Sequence, residues 1–335
     1  MSSSERLPSV TVIIAARPEQ VDVPAARTAR QLDYPADKLE VLISRGRQPS
    51  MQRNAALRVA RGELVYFLDD DALPSAGNLR LAAGAFADPR VQVLGGPNLC
   101  PPDAPVLEQV FALVLGSWLA FGPSRARYTR AGRRRPTTEK ELILCNLLAR
   151  RAALLAVGGF DESLYPNEEN ALMDRLQEQG GVLLYDPDFV VHRRPRRTVW
   201  AFARMLFRYG RGRAEQFRRH PTVGSALNFL PPLFCVYLAG LASLWGVGGA
   251  SSRWGWHGWL LAPLGLYLLV VAVQMVGLLS RTSPGRALSA GLLGALSHVC
   301  YGLGFWRGLF TRLGADGAAR AGEVRIEAFP VGTSR

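Results

Sequence analysis

Between Glu215 and Asp316 the chain runs for one hundred residues without a carboxylate. A soluble domain carries about a quarter of its residues as charges of mixed sign, so a wholly soluble protein is not expected. Three apolar segments fill the stretch, at about 224–248, 257–279 and 287–310. Each is near the ~20 residues that cross a hydrocarbon core as a helix. The second, WLLAPLGLYLLVVAVQMVGLL, is the clearest. The first contains Pro231-Pro232, which a span tolerates when the freed backbone groups find partners. The third is Gly-rich, contains His298 and ends at Arg307, and either crosses or is partly re-entrant.

The basic charge sits beside these segments. The net charge is +13, from 40 basic and 27 acidic residues. Arg125, Arg127, Arg130, Arg133, Arg134 and Arg135 supply +6, and the ten Arg and one Glu from Arg193 to Arg219 supply +9. Together they exceed the total, so the remainder is slightly acidic. Basic clusters next to apolar spans point to a membrane surface and its lipids. No recognition motif for nucleic acid accompanies them, and no such partner is expected. Arg before the first span places that flank in the cytoplasm, and Arg281 and Arg286 agree with a cytoplasmic loop between the second and third. A third full crossing would put residues 313–335 outside, against Arg312, Arg320 and Arg325. The opening MSSSERLPS lacks the apolar core of a secretory signal, so the N-terminal part is expected to fold in the cytoplasm, at a cytoplasmic membrane crossed several times. A hydrophobic content of 48% excludes disorder, and Cys100, Cys145, Cys235 and Cys300 have neither disulfide-scaffold nor metal-site spacing.

Residues 10–220 alternate strands with helices. The strands are Val10–Ala16, Leu39–Ser44, Glu63–Leu68 and Val91–Gly95, with short ones at Val182–Tyr185 and Phe189–His192. Helices are expected at Ser50–Arg61, Asn78–Phe86, Leu107–Phe121 and Glu168–Gln179. This order implies a mostly parallel sheet covered on both faces, with ligands beyond the carboxyl ends of its strands. Thr198–Arg219 interleaves aromatics with Arg and reads as an amphipathic helix in a membrane interface, or else as a basic helix packed on the soluble part.

Two acidic constellations stand out. Asp69-Asp70-Asp71 ends a hydrophobic strand, where like charges cost stability unless a cation neutralises them. Alternation puts Asp69 and Asp71 on one side, suited to Mg²⁺ or Mn²⁺ with substrate phosphates; a solvated turn is the alternative. Glu168-Glu169 opens a helix, where acids also serve simply to complement the helix dipole.

In combination these segments resemble the inverting glycosyltransferases of family 2, which have the GT-A fold, over about residues 9–192. The carriers are the first strand Val10–Ala16 with Arg17-Pro18-Glu19, the segment Gln52-Arg53-Asn54-Ala55-Ala56-Leu57, the run Gly62–Asp71, the run Arg150–Glu162 with its GGFDE, and Glu168–Leu176. Pro187–His192 matches a closing segment loosely. The resemblance implies a donor half at about 9–100 and an acceptor half at about 101–192 within a GT-A domain spanning 1–192. An Arg-rich interfacial region at 193–222, a membrane domain at 223–312 and a tail at 313–335 would follow. By position, Asp69 and Asp71 would contact the nucleotide sugar, with Asp71 the direct metal ligand and His192 a further one. Glu169 would be the catalytic base with Glu168 beside it. Arg53, Asp70, Ala15, Arg17 and Glu19 would line the donor site, and Arg175 would orient the acidic pair. The cofactor would be Mg²⁺ or Mn²⁺, and the donor a nucleotide-diphosphate sugar, UDP by default. Where the family carries a uracil-reading Asp, this chain has Ser44-Arg45-Gly46.

The run Arg208-Tyr209-Gly210-Arg211-Gly212-Arg213 resembles membrane-anchored, non-processive members of succinoglycan type. The expected acceptor is therefore a polyprenyl-linked sugar or oligosaccharide, in exopolysaccharide or envelope synthesis. Direct transfer to polyprenyl phosphate is one alternative, and a catalytically degenerate membrane scaffold or sensor is another. The Arg125–Arg135 loop is read as a lid over the diphosphate or as a solvated loop.

Overall fold

The structure is a computed structural model, and it describes residues 7–164, 167–219, 221, 223–248, 258–311 and 322–331. The chain divides into two compact units. The first takes in the described residues of Met1–Ala104, Pro123–Arg194 and Leu313–Arg335, and the second those of Pro105–Gly122 and Pro195–Arg312.

The first unit is built on an eight-stranded sheet. In chain order its strands are β1 (Val10–Ala16), β2 (Leu39–Arg45), β3 (Leu64–Asp69), β5 (Val91–Gly95), β7 (Arg135–Thr137), β8 (Leu147–Arg150), β9 (Val182–Tyr185) and β11 (Arg325–Phe329). Short strands β4 (Leu73–Pro74), β6 (Asn98–Leu99) and β10 (Val191–His192) form a second sheet in the order β4-β10-β6. The large sheet runs β11-β2-β1-β3-β8-β5-β9-β7. Strands β2, β1, β3, β5 and β9 point one way, so the sheet is mostly parallel, while β8, β7 and β11 run against them. Helices α1 (Pro24–Ala29), α2 (Pro49–Val59), α3 (Asn78–Ala83), α6 (Arg151–Ala156) and α7 (Glu168–Glu178) complete this unit.

Continuous apolar strands are what a sheet buried on both faces requires. Alternate residues of β1 and β3 go to opposite cores: Val12, Ile14, Tyr66 and Leu68 to one, and Ile13, Val65 and Phe67 to the other. Thr11 interrupts the run without penalty, because its hydroxyl donates to Glu40 Oε2 at 2.6 Å. Each fully buried side chain such as Phe67 contributes roughly 1.5–3 kcal/mol relative to exposure.

Two expectations need correction, and one strand takes an unexpected direction. The segment read as a tail contributes β11, which pairs antiparallel with β2 and closes that edge of the sheet. The stretch before Arg150 is strand β8, which runs antiparallel between β3 and β5 and leads directly into α6. The single helix expected at Leu107–Phe121 is broken into α4 (Val106–Leu115) and α5 (Trp118–Phe121), bent by 59° where Gly116 ends one and Ser117 caps the next. Both lie in the second unit and not with the acceptor half.

The second unit also contains α8 (Val199–Arg219), α9 (Leu230–Gly248), α10 (Gly258–Leu278) and α11 (Pro284–Phe310). Three stretches, Ala226–Leu244, Gly258–Leu278 and Pro284–Phe310, are long and apolar enough to cross a membrane. The apolar side of α8 is not bare: Phe202, Leu206 and Ala214 are buried, and Phe202 stacks on Phe111 of α4 with centroids 4.3 Å apart. Gly304 and Gly308 let the backbone of α11 lie directly against Phe207 and Arg211 of α8.

Candidate active site

The carboxyl ends of β1, β2 and β3 lie side by side, with Ala15 in register with both Ser44 and Asp69. Helix α2 presents three consecutive polar side chains to three different parts of the site. Gln52 is buried and donates to the carbonyls of Ala16 and Ser44 at 2.7 and 2.6 Å, tying the ends of β1 and β2 together. Asn54 donates to the Phe160 carbonyl at 2.9 Å and accepts from its N–H at 2.8 Å, which holds the GGFDE turn. Gly159 sits in that turn at φ +73°, and a Cβ there would fall 2.5 Å from Asn54 Oδ1, so only glycine fits. The N-cap of α2 is Gln48, whose side chain accepts from Met51 N–H.

Arg53, between them, is 6% exposed and bridges two carboxylates. Its guanidinium lies 3.2 Å from Asp69 and 3.0 Å from Glu168. Glu168 is buried at the first turn of α7, and among the described residues its Oε2 has no hydrogen-bond partner. Burial and then the neighbouring Glu169 push its carboxyl up to about 7, with Arg53 pulling the other way. The residue before it, Asn167, is the one non-glycine at positive φ among the described residues, at +94°. Such a conformation costs of order 1–3 kcal/mol, and it turns the chain directly into the acidic pair. Glu169 is less buried and lies 3.9 Å from Arg127 and 3.5 Å from Asn170 Nδ2.

On the strand side, Arg193 lies 2.8 Å from Asp69 and 2.5 Å from Asp71. One guanidinium thus spans the two carboxylates that alternation placed on the same side. The paired carboxylates raise the Arg193 pKa further, against the opposing effect of its own burial. Burial and then Asp71 raise the Asp70 carboxyl above its ordinary value. Among the described residues no three His, Cys, Asp or Glu side chains converge to hold a metal. His192 is therefore not brought together with Asp69 and Asp71: it sits on β10, and the next residue, Arg193, reaches them instead. Arg17 and Glu19 are exposed beyond β1, and Glu19 pairs with Arg47. Arg45 is held by Glu327 of β11 at 2.7 Å and by the Gln20 carbonyl at 2.6 Å.

Arg175 does not orient the acidic pair. It donates to the carbonyls of Val157 and Gly159 at 2.7 and 2.6 Å and so supports the GGFDE turn. Nor is the Arg125–Arg135 loop an open lid. Arg127 is buried and donates to Asn170 Oδ1 at 2.6 Å and to the Lys140 carbonyl at 2.8 Å. Arg130, Arg134 and Arg135 pair with Asp188, Asp186 and Glu141.

The sequence pattern of glycosyl transferase family group 2 matches residues 64–304, more than half of the chain. The chain belongs to that family. The chain is 32% identical over 178 residues to the pre-mycofactocin glycosyltransferase of Mycobacterium tuberculosis, covering 52% of the chain and 36% of that protein. It is 30% identical over 164 residues to the succinoglycan biosynthesis protein ExoA of Rhizobium meliloti, covering 48% and 46%. The matched part thus spans less than half the length of each relative. Among solved structures it resembles the mannosyltransferase PcManGT of Pyrobaculum calidifontis, in complex with GDP-Man and Mn²⁺, with a TM-score of 0.55 at 20% identity over 87% of both chains. That likeness supports the GT-A-like fold. Sequence reasoning missed Arg127 and the pairing of Arg193 with Asp69 and Asp71: each is one Arg in a dense basic run, with no spacing that sets it apart.

Proposed function

We propose that this glycosyltransferase is membrane-anchored, metal-dependent and inverting, and that it moves one sugar from a nucleotide-diphosphate sugar to a polyprenyl-linked sugar or oligosaccharide. The observation that carries the reading is Arg53 held between Asp69 and Glu168. It joins carboxylates suited to a cation to a pair suited to taking a proton, across one side chain. The ligands named for the Pyrobaculum structure support a nucleotide sugar and Mn²⁺, and they set GDP beside the UDP default. The rhizobial relative's name supports a place in exopolysaccharide synthesis. The three apolar helices, with the Arg-rich segment before them, support a site held at the cytoplasmic face of the cytoplasmic membrane, within reach of a lipid-linked acceptor.

The residues present fit a divalent ion. Asp69 and Asp71 offer oxygen donors only, and Mg²⁺ or Mn²⁺ commonly takes one or two carboxylates plus substrate phosphates rather than a full protein cage. The guanidinium spanning them shows that the pair already accommodates a positive charge. An ion held there would neutralise the leaving diphosphate. Ala15, Arg17, Glu19 and Asp70 line the nucleoside side of the strand ends. Glu169 takes the proton from the acceptor hydroxyl as that oxygen attacks the anomeric carbon and the bond to phosphate breaks, inverting the centre. Arg127 and Asn170 hold Glu169 in place, and Glu168 shares its charge with Arg53.

Membranes containing the protein, supplied with Mn²⁺, a panel of nucleotide sugars and lipid-linked acceptors, are expected to release nucleoside diphosphate. Asp71→Ala is expected to lose that release. No release from any donor, or an unchanged Asp71→Ala, contradicts the reading; equal use of bare polyprenyl phosphate replaces the acceptor.

A further inference from the structure

We propose that only α9 and α10 cross the membrane, and that α11 lies obliquely in the interface of the leaflet facing the catalytic unit, so that the C-terminal segment returns to the side it left. The proposal rests on the membrane reading above. Three independent observations carry it.

The first is parity. Strand β11 follows every apolar helix, yet it hydrogen-bonds along β2, from Arg325 opposite Arg45 to Phe329 opposite Val41. One sheet cannot stand on both sides of a bilayer, so the chain between Arg194 and β11 crosses an even number of times. Three candidate spans are available, and one of them does not cross.

The second is where α11 ends. Its last turns pack on α8, which precedes all three candidate spans. Arg218 of α8 donates to the carbonyls of Gly308 and Thr311 at 3.0 and 2.5 Å, and Gly304 and Gly308 meet the α8 backbone at Phe207 and Arg211. Arg204, Arg208 and Arg218 are exposed on α8, a helix that cannot lie in hydrocarbon and that suits anionic headgroups.

The third is how α11 meets its neighbours. Tyr237 of α9 bonds to Leu260 and Leu264 of α10, and Phe234 lies against Tyr267, an antiparallel pairing. A third full span beside α10 would carry residues 302–306 to the far end of that hairpin. Instead Gly302 meets Pro231 and Cys235, and Trp306 donates to the Pro232 carbonyl at 3.0 Å, at the beginning of α9. Gly291 meets Met275, near the end of α10. Helix α11 therefore lies across the hairpin at the start of α9 and the end of α10. Arg281 and Arg286 between α10 and α11 select the same side. Exposure agrees: α9 and α10 are almost wholly exposed, whereas a substantial part of α11 is buried. Leu292 and Leu303 face outward from α11, which commits that face to the acyl boundary of one leaflet.

The test uses the full chain in sealed vesicles, with single cysteines in a cysteine-free background and a membrane-impermeant maleimide. Val21→Cys, on an exposed loop of the catalytic unit, marks its side. Thr282→Cys and Glu323→Cys are expected to label with Val21→Cys, and Ser252→Cys from the opposite face only. Glu323→Cys or Thr282→Cys labelling opposite to Val21→Cys overturns the proposal. Release of the protein by alkaline carbonate overturns the membrane reading as well. An epitope at the C-terminus of the otherwise native chain gives the same parity readout if the cysteine-free protein does not accumulate. Spin labels at Leu288 and Phe310 add a second measurement. In a crossing helix these positions stand ~33 Å apart along the axis. Similar shallow depths support the proposal, and depths in opposite leaflets overturn it.

Discussion

Arg53 balances the charge of the site, and its removal has a defined consequence. Arg53→Ala leaves Glu168 buried without its partner, a change that costs ~3–5 kcal/mol when a buried pair is broken. Adding Glu168→Gln to Arg53→Ala is expected to recover part of that loss in denaturant unfolding of the solubilised protein; a strictly additive double variant would show that the two are not coupled. Glu168 also fixes a pH dependence. Its carboxyl is pushed from 4.5 up to about 7, so the folded chain binds that proton more tightly than the unfolded one. The stability it contributes is present below pH ~4.5 and is lost as pH rises through ~7. Melting temperature is expected to fall across that window, and Glu168→Gln to flatten the fall; an unchanged slope contradicts the assignment. Arg193 competes with any ion for Asp69 and Asp71. Arg193→Gln is expected to bind Mn²⁺ about tenfold more tightly without nucleotide, equivalent to ~1.4 kcal/mol in a titration; weaker binding would make Arg193 a helper instead. Asp69, Asp71, Glu168 and Glu169 were legible as candidates because acids at a strand end or helix start stand out against their setting. The pairings of Arg193 and Arg127 were not, because each is made with a partner far away in sequence.

At the scale of elements, α2 links the site's parts through Gln52, Arg53 and Asn54, and Gly159 is the matching feature on the turn it grips. Gly159→Ala, forced into positive φ and against Asn54, is expected to destabilise by ~1–3 kcal/mol with partial loss of activity. An unperturbed melting temperature would show that the turn relaxes freely. Strands β1 and β5 were readable to the residue, because buried β-branched runs between turn signals have few other uses. The direction of β8 was not: LLAR is equally apolar read either way, and only the pairing with β3 and β5 decides it. Nor did the short β11 announce itself, since five residues of mixed polarity acquire meaning only beside the open edge of β2. The break between α4 and α5 was hidden by apolar periodicity that continues across Gly116-Ser117.

For the molecule as a whole, the acid-free stretch carries three helices apolar enough to cross a membrane, inserted between parts of one sheet, since the first unit resumes after it with β11. Its composition was legible, but the number of crossings was not, because hydropathy reports which helices suit lipid and not which side they end on. The central claim concerns the chemistry of the catalytic unit, and the most direct measurement is nucleoside diphosphate release, with a lipid-linked acceptor present, by wild type and Glu169→Gln in matched membranes. A general base is worth ~10²–10⁴-fold, so Glu169→Gln is expected to lose that much turnover while still binding the donor. Glu169→Gln turning over at the wild-type rate would contradict the account.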